Sequence, residues 1–174
     1  HPDIYPDEEA VQQAFLQFIR QTRQNGAVVA CTDDVGVRKL LKSYQTDSSS
    51  EEKQVDVITY GLEEGSQWQG TELRCNATGG TDFVALHQGK AIGTFNLSLP
   101  GQHVVLNALA AIAIGVRFGV DLKSMQHTLH RFKGATRRFQ LVGQVNGIDI
   151  FDGYAHHPTG IRVTLAATRQ QCGE

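Results

Sequence analysis

The sequence predicts an α/β fold in which a mainly parallel sheet is flanked by helices and continued by an antiparallel meander. Three observations carry that expectation. Apolar residues at helical spacing alternate with short runs rich in β-branched residues through the amino-terminal third of the chain. Between Trp68 and Leu99 the pattern switches to strict alternation, the period of half-buried strands. Strands separated by helices require crossover connections, which place successive strands parallel.

Each element can be justified in order. Pro6–Gln24 carries acids at its front (Asp7, Glu8, Glu9), then Val11, Ala14, Phe15, Phe18 and Ile19 on a helical face, with Asn25-Gly26 as its stop. "AVVAC" reads as a buried strand, and Thr32 or Asp33 can cap a helix through "TDDVGVRKLLKS". Ser43–Gln54 is polar and reads as an exposed connection to the strand "VDVITYG". "ELRCNAT", "TDFVALHQ" and "KAIGTFNLSL" form the meander, divided by Gly79-Gly80 and His87-Gln88-Gly89. "QHVVLNALAAIAIGVRFG" is expected to be a helix buried on most sides, closed by Gly119; Asp121 then caps "LKSMQHTLHRF". "RRFQLVGQVNGIDIFDG" turns at Asn146-Gly147 as a hairpin. Thr159 is positioned to cap a last helix, and no internal repeat is visible.

Composition narrows the function classes. The chain has 174 residues, 16 Lys and Arg against 18 Asp and Glu, and 40% hydrophobic residues, the profile of one or two globular domains. Cations alternate with acids instead of forming a block, which argues against nucleic acid or an anionic membrane as partner and leaves a small anion as the expected ligand. The apolar stretch Ala108–Val116 is far shorter than the ~20 residues needed to span a bilayer. Cys31, Cys75 and Cys172 are an odd, widely spaced set, consistent with neither a disulfide framework nor a zinc knuckle, so a reducing cytoplasm is the default. The first residue is His1 and no secretion signal precedes it, which suggests an excised piece. Asn76-Ala77-Thr78 and Asn96-Leu97-Ser98 match the glycosylation pattern, one that arises readily by chance.

The residues able to carry chemistry gather late in the chain. In "FDGYAHHPTGI", Asp152, His156 and His157 could ligate a metal, exchange protons or solvate a turn. Adjacent histidines diverge in an extended chain, so contact with a nucleotide or substrate is the better reading than a shared metal. Pro158 keeps His157 out of helical geometry, leaving the following helix N–H groups facing the loop. Arg137 and Arg138 stand together where one guanidinium can face a cleft and hold phosphate through paired donors; the alternative is a surface ion pair. Asn107, inside an apolar run, is expected to be a buried amide that meets either backbone or a polar ligand such as a purine edge. His1 and Asp3 could meet a metal, whereas Asp33-Asp34 reads as a helix start and His127 with His130 as a solvated helix face. "ATGGTD" lacks the G-K-[ST] of a phosphate loop.

Taken together, "HPDIYPDEEAVQQAFLQFI", "GAVVACTDD", "LPGQHVVLNALAAIAIGVRFGV", "FKGATRRFQLVG" and "DGYAHHPTGIRVTLAAT" resemble the Mur ligase family along nearly the whole chain. "YAHHPT" after "RRFQ" points to the branch acting on UDP-N-acetylmuramate and L-alanine in peptidoglycan precursor synthesis. The resemblance implies that residues 1–136 are the central ATP-binding domain without its phosphate loop, and residues 137–174 the start of a Rossmann-like C-terminal domain. It implies an internal piece of a cytoplasmic bacterial enzyme that uses ATP and Mg2+. In that reaction the sugar's carboxylate is phosphorylated and the alanine amine displaces phosphate from the acyl-phosphate. By motif position His1 corresponds to a magnesium-holding histidine, Asn107 to an adenine contact and Arg138 to an arginine beside the phosphates. Asp152, Tyr154 and His156 fall where the family lines the ribose and the acceptor amino acid, with His156 and Arg138 the expected catalytic pair.

The sequence departs from the family pattern at three positions. Val104 stands where H-N-x-x-N has its first asparagine, and Gly153 and Gly160 stand where the family carries acids. An acid missing beside the ribose is expected to weaken nucleotide binding. Three readings follow: part of an ATP-dependent carboxylate–amine ligase, inactive as an isolated piece; a non-catalytic nucleotide-binding remnant; and a metal hydrolase built on His1, Asp3 and the histidine pair.

Overall fold

A computed structural model describes residues 3–23, 25–46 and 55–172. Helix α1 (Glu8–Arg20) begins where Asp7 accepts the Ala10 N–H at 2.8 Å, and Glu8 and Glu9 complement the positive end of its dipole. It ends before the expected Asn25-Gly26 stop. Its buried face is Leu16 and Ile19, while Phe15 and Phe18 point outward, so the apolar stripe is wider than the face the sheet can cover. Strand β1 (Ala27–Cys31) leads to α2 (Val35–Thr46). The cap of α2 is Asp34, which accepts the Val37 N–H at 2.9 Å, and neither Thr32 nor Asp33. Asp33 instead reaches across to accept from Leu62 N at 2.8 Å and Glu63 N at 3.2 Å, tying together the loops that follow two parallel strands.

Strands β2 (Asp56–Gly61), β3 (Trp68–Cys75), β4 (Thr81–His87) and β5 (Lys90–Leu97) complete a five-stranded sheet in the order β1-β2-β3-β4-β5. β1 and β2 are parallel, β2 and β3 are parallel, and β3, β4 and β5 are antiparallel, so β3 is the pivot between the strand–helix layer and the meander. This is the α/β architecture expected, with the crossovers confined to the amino-terminal side.

Helix α3 (Gln102–Arg117) buries Val105, Ala108, Leu109, Ile112 and Ala113 against the sheet, where they meet Trp68, Phe83 and Phe95. Helix α4 (Leu122–Arg131) is capped by Asp121, which accepts from Ser124 N at 2.9 Å, and adds Met125 to the same core. A smaller cluster of Leu16, Ile19 and Leu40 with Val28 lies on the other side of β1, since Val28 alternates with the core-facing Ala27 and Val29. The expectation that α3 is buried on most sides is corrected: Ala111, Ile114 and Val116 are exposed, and the flank that carries Ala111 borders a cleft. His127 and His130 are exposed on α4, as read. Among the described residues no helix is long and apolar enough to cross a membrane.

The carboxyl-terminal part is a hairpin of β6 (Gln140–Val145) and β7 (Ile148–Asp152) followed by α5 (Pro158–Cys172). Asn146 and Gly147 have φ of 51° and 80°, the paired left-handed geometry of a type I′ turn, as their sequence predicted. The α5 cap is not Thr159. Pro158 occupies the first helical position, and the ring Nδ1 of His157 faces the Thr159 N–H at 3.4 Å. Near its far end Gln170 donates to Thr81 Oγ1 at 2.9 Å, and the same oxygen accepts from Gly101 N at 3.1 Å. Among the described residues Thr81 is the buried polar one, and these two donors satisfy its lone pairs. The glycosylation reading of Asn76 does not hold, since its amide nitrogen donates to Asp82 at 2.8 Å and to the Leu97 carbonyl at 2.9 Å inside a turn.

Candidate functional site

An open cleft of about 860 Å³ lies between α3, the end of α4 and the carboxyl-terminal part. Its floor is the flank of α3 carrying His103, Val104, Asn107 and Ala111, and its far wall is Thr159, Gly160, Val163 and Thr164 of α5. The chain segment between α4 and β6 contributes Arg138, and the loop after β7 contributes Gly153 and Tyr154. Residues far apart in sequence therefore face one volume that is large enough for a nucleotide-sized ligand.

Asn107, Arg138 and Tyr154 line this cleft together. The expectation of a buried Asn107 is corrected: its side chain is exposed, on the side of α3 turned away from the core. An amide there has no need of protein partners and is available to a ligand. Asp152 does not line the cleft; its carboxylate lies 3.8 Å from the Arg137 guanidinium, behind the wall. His156 is likewise outside the lining. Its Nδ1 lies 2.9 Å from the Tyr154 carbonyl, and its ring meets the Tyr154 ring edge-on at 5.1 Å. His1 lies outside the described residues. Among the described residues no three His, Cys, Asp or Glu side chains converge in a way that could hold a metal ion, so the histidine pair forms no metal centre with its described neighbours.

His103 belongs to the site and was not singled out from sequence. Its ring Nδ1 is buried without a hydrogen-bond partner, and burial lowers its pKa from the ordinary value. That nitrogen is closed off on the Gly101 side of the ring, where a Cβ would stand 2.8 Å from it, so the ring contributes to the cleft floor without offering its Nδ1 to a ligand. The clue was spacing: His103 and Asn107 are four residues apart on one helix and share a face. An exposed amide and a guanidinium around one cleft suit the base and phosphates of a nucleotide.

The two glycines at departures from the family pattern have room for larger side chains. A Cβ at Gly153 would meet nothing within 4 Å, and one at Gly160 would be 3.7 Å from Ala155, an ordinary contact. Neither backbone requires glycine, so their presence is not imposed by packing.

Comparison with known proteins is consistent across the chain. Residues 1–115 match the Mur ligase middle domain and residues 137–174 the Mur ligase glutamate ligase domain. A UDP-N-acetylmuramate–L-alanine ligase of Caldanaerobacter subterraneus is 36% identical over 97% of this chain and 35% of its own length. A ligase of the same name from Koribacter versatilis is 39% identical over 99% of this chain and 36% of its own. The chain thus spans about a third of the length of these relatives. Among solved structures, the UDP-N-acetylmuramate–alanine ligase of Thermotoga maritima superposes with a TM-score of 0.74 at 25% identity, over 97% of this chain and 35% of that one.

Proposed function

Because the chain belongs to the Mur ligase family, we propose that it is the ATP-binding part of a ligase that joins L-alanine to UDP-N-acetylmuramate in bacterial peptidoglycan precursor synthesis. The observation that carries this reading is the cleft in which Asn107 from one family-matching segment faces Arg138 and Tyr154 from the other. In this reading residues 1–136 are the central domain and residues 137–174 open the C-terminal domain.

The roles follow from the side chains. The Arg138 guanidinium offers planar paired donors to phosphoryl oxygens, where charge accumulates during transfer. Asn107 presents both a donor and an acceptor to the edge of an adenine. The Tyr154 ring supplies an apolar wall, and His156, which touches that ring from outside the cleft lining, is assigned to the acceptor amino acid by motif position alone. Mg2+ would neutralise the phosphates, with His1 as the ligand this chain contributes. The site of action is the cytoplasm, where ATP is supplied.

The decisive experiment grafts these 174 residues in place of the matching segment of the Caldanaerobacter relative. ADP release that depends on both L-alanine and UDP-N-acetylmuramate is the expected result, and Arg138→Ala should slow it by about a hundred-fold. Gly153 favours a second reading, a remnant that has lost turnover. A silent graft revived by Gly153→Asp would establish that alternative, and a graft silent in both forms would overturn the ligase assignment.

A further inference from the structure

Arg138 is flanked by two residues in a conformation that L-amino acids disfavour. Arg137 has φ of 61° and Phe139 of 52°. Side chains carried through left-handed backbone persist only where surrounding contacts over-determine them. Here those contacts converge on Arg137. Its N–H donates to Gln140 Oε1 at 3.0 Å, and its carbonyl accepts the Tyr154 N–H at 2.9 Å. Its guanidinium sits 5.3 Å from the Tyr154 ring centroid, while Nε lies 3.8 Å from the Asp152 carboxylate. On the other side of Arg138, Phe139 stacks on Phe151 at 4.6 Å with the planes 10° apart.

We infer that Arg137 is a positioning residue: through Asp152 and the Tyr154 ring it sets Arg138 and Tyr154 at the cleft wall without entering the cleft itself. The inference rests on the nucleotide reading of that cleft. It also assigns Asp152 a different task from ribose contact, since its carboxylate anchors the guanidinium that caps the tyrosine. A planar, delocalised cation is needed, because it has to lie against a ring and reach a carboxylate at once; an ammonium can satisfy only the second contact in that geometry. The family resemblance assigned Arg138 to the phosphates and gave Arg137 no role; Arg138 lines the cleft and Arg137 does not.

The test is a double-mutant cycle on ATP affinity, measured by titration calorimetry of the 174-residue chain. Arg137→Gln and Asp152→Asn should each weaken binding by about three-fold, and the double variant should be no weaker than the worse single. Arg137→Lys should recover part of the loss. Arg137→Gly relieves the backbone yet removes the clamp, so it should bind as poorly as Arg137→Gln. Additive losses, or Arg137→Gly binding as tightly as the unmodified chain, would overturn the inference. Hydrogen exchange at the Tyr154 amide provides a readout independent of nucleotide. Faster exchange in Arg137→Gln with α3 amides unchanged supports the clamp, and unchanged exchange refutes it. If the unmodified chain takes up no ATP, the nucleotide reading fails, and the exchange result still decides the role of Arg137.

Discussion

The sheet with α3 and the carboxyl-terminal hairpin with α5 are held by different means. In the first, Phe83, Phe95, Val105, Leu109 and Ile112 are almost wholly removed from water in one continuous core. In the second, Ala167 is the buried hydrophobic residue among those described, while Leu141, Val142, Val145, Ile148 and Ile150 of the hairpin stay exposed. A two-stranded hairpin is marginal alone. What places this part is a close crossing of α5 over Gly101 together with the hydrogen bonds that meet at Thr81. The cleft therefore has one wall set by burial and one set by a few directional contacts.

That contrast can be broken from its strong side first. Phe83→Ala should cost about 3–5 kcal/mol and collapse both parts together in urea denaturation, since Phe83 lies at the centre of the core between the sheet and α3. Gly101→Ala should act selectively. Its φ of 103° is hostile to alanine, and the new Cβ would sit 2.8 Å from the His103 ring and 3.2 Å from Ala167. A loss on the order of 1–3 kcal/mol is expected, visible as protease cleavage between α4 and β6 while the core amides keep their exchange protection. Gly160→Glu should sharpen the contrast from the other direction. It removes a glycine from the first turn of α5 and adds an acid at the positive end of the helix dipole, for a gain of about 1 kcal/mol seen as a higher Tm.

The smallest expected effect is the pH response of the cleft floor. Burial depresses the folded-state pKa of His103, so the unfolded chain takes the proton first as pH falls below about 6.5. Stability from this group is complete above that value and declines through the window beneath it. A Tm that drops on acidification, and drops less in His103→Asn, would verify this. An identical decline in both would remove His103 as the cause.

The sequence-level periodicities located nearly every element, because an amphipathic stripe and strict alternation report burial directly. They misjudged where burial is incomplete. Phe15, Phe18 and the outer flank of α3 are apolar and exposed, and pattern alone cannot distinguish a face that packs from one that borders a cleft. Asn107 was read as buried for the same reason. Caps were misplaced by one or two residues at α2 and α5, where Asp33 was committed to a distant loop and a histidine took the place of a hydroxyl. Arg138 and Tyr154 were legible through their motifs, whereas the link from Arg137 to Asp152 required the fold, since it is the β6–β7 hairpin that brings the end of β7 back beside Arg137.

The sheet order also bears on how the molecule is made. Its five strands lie side by side in the order in which they occur along the chain, so every ladder closes between successive strands. The entropy of loop closure is kept small at each step, and no strand must wait for a later one to be inserted between its neighbours. Within this stretch the strands can pair one after another in chain order, with α3 and then α4 covering the face that they form.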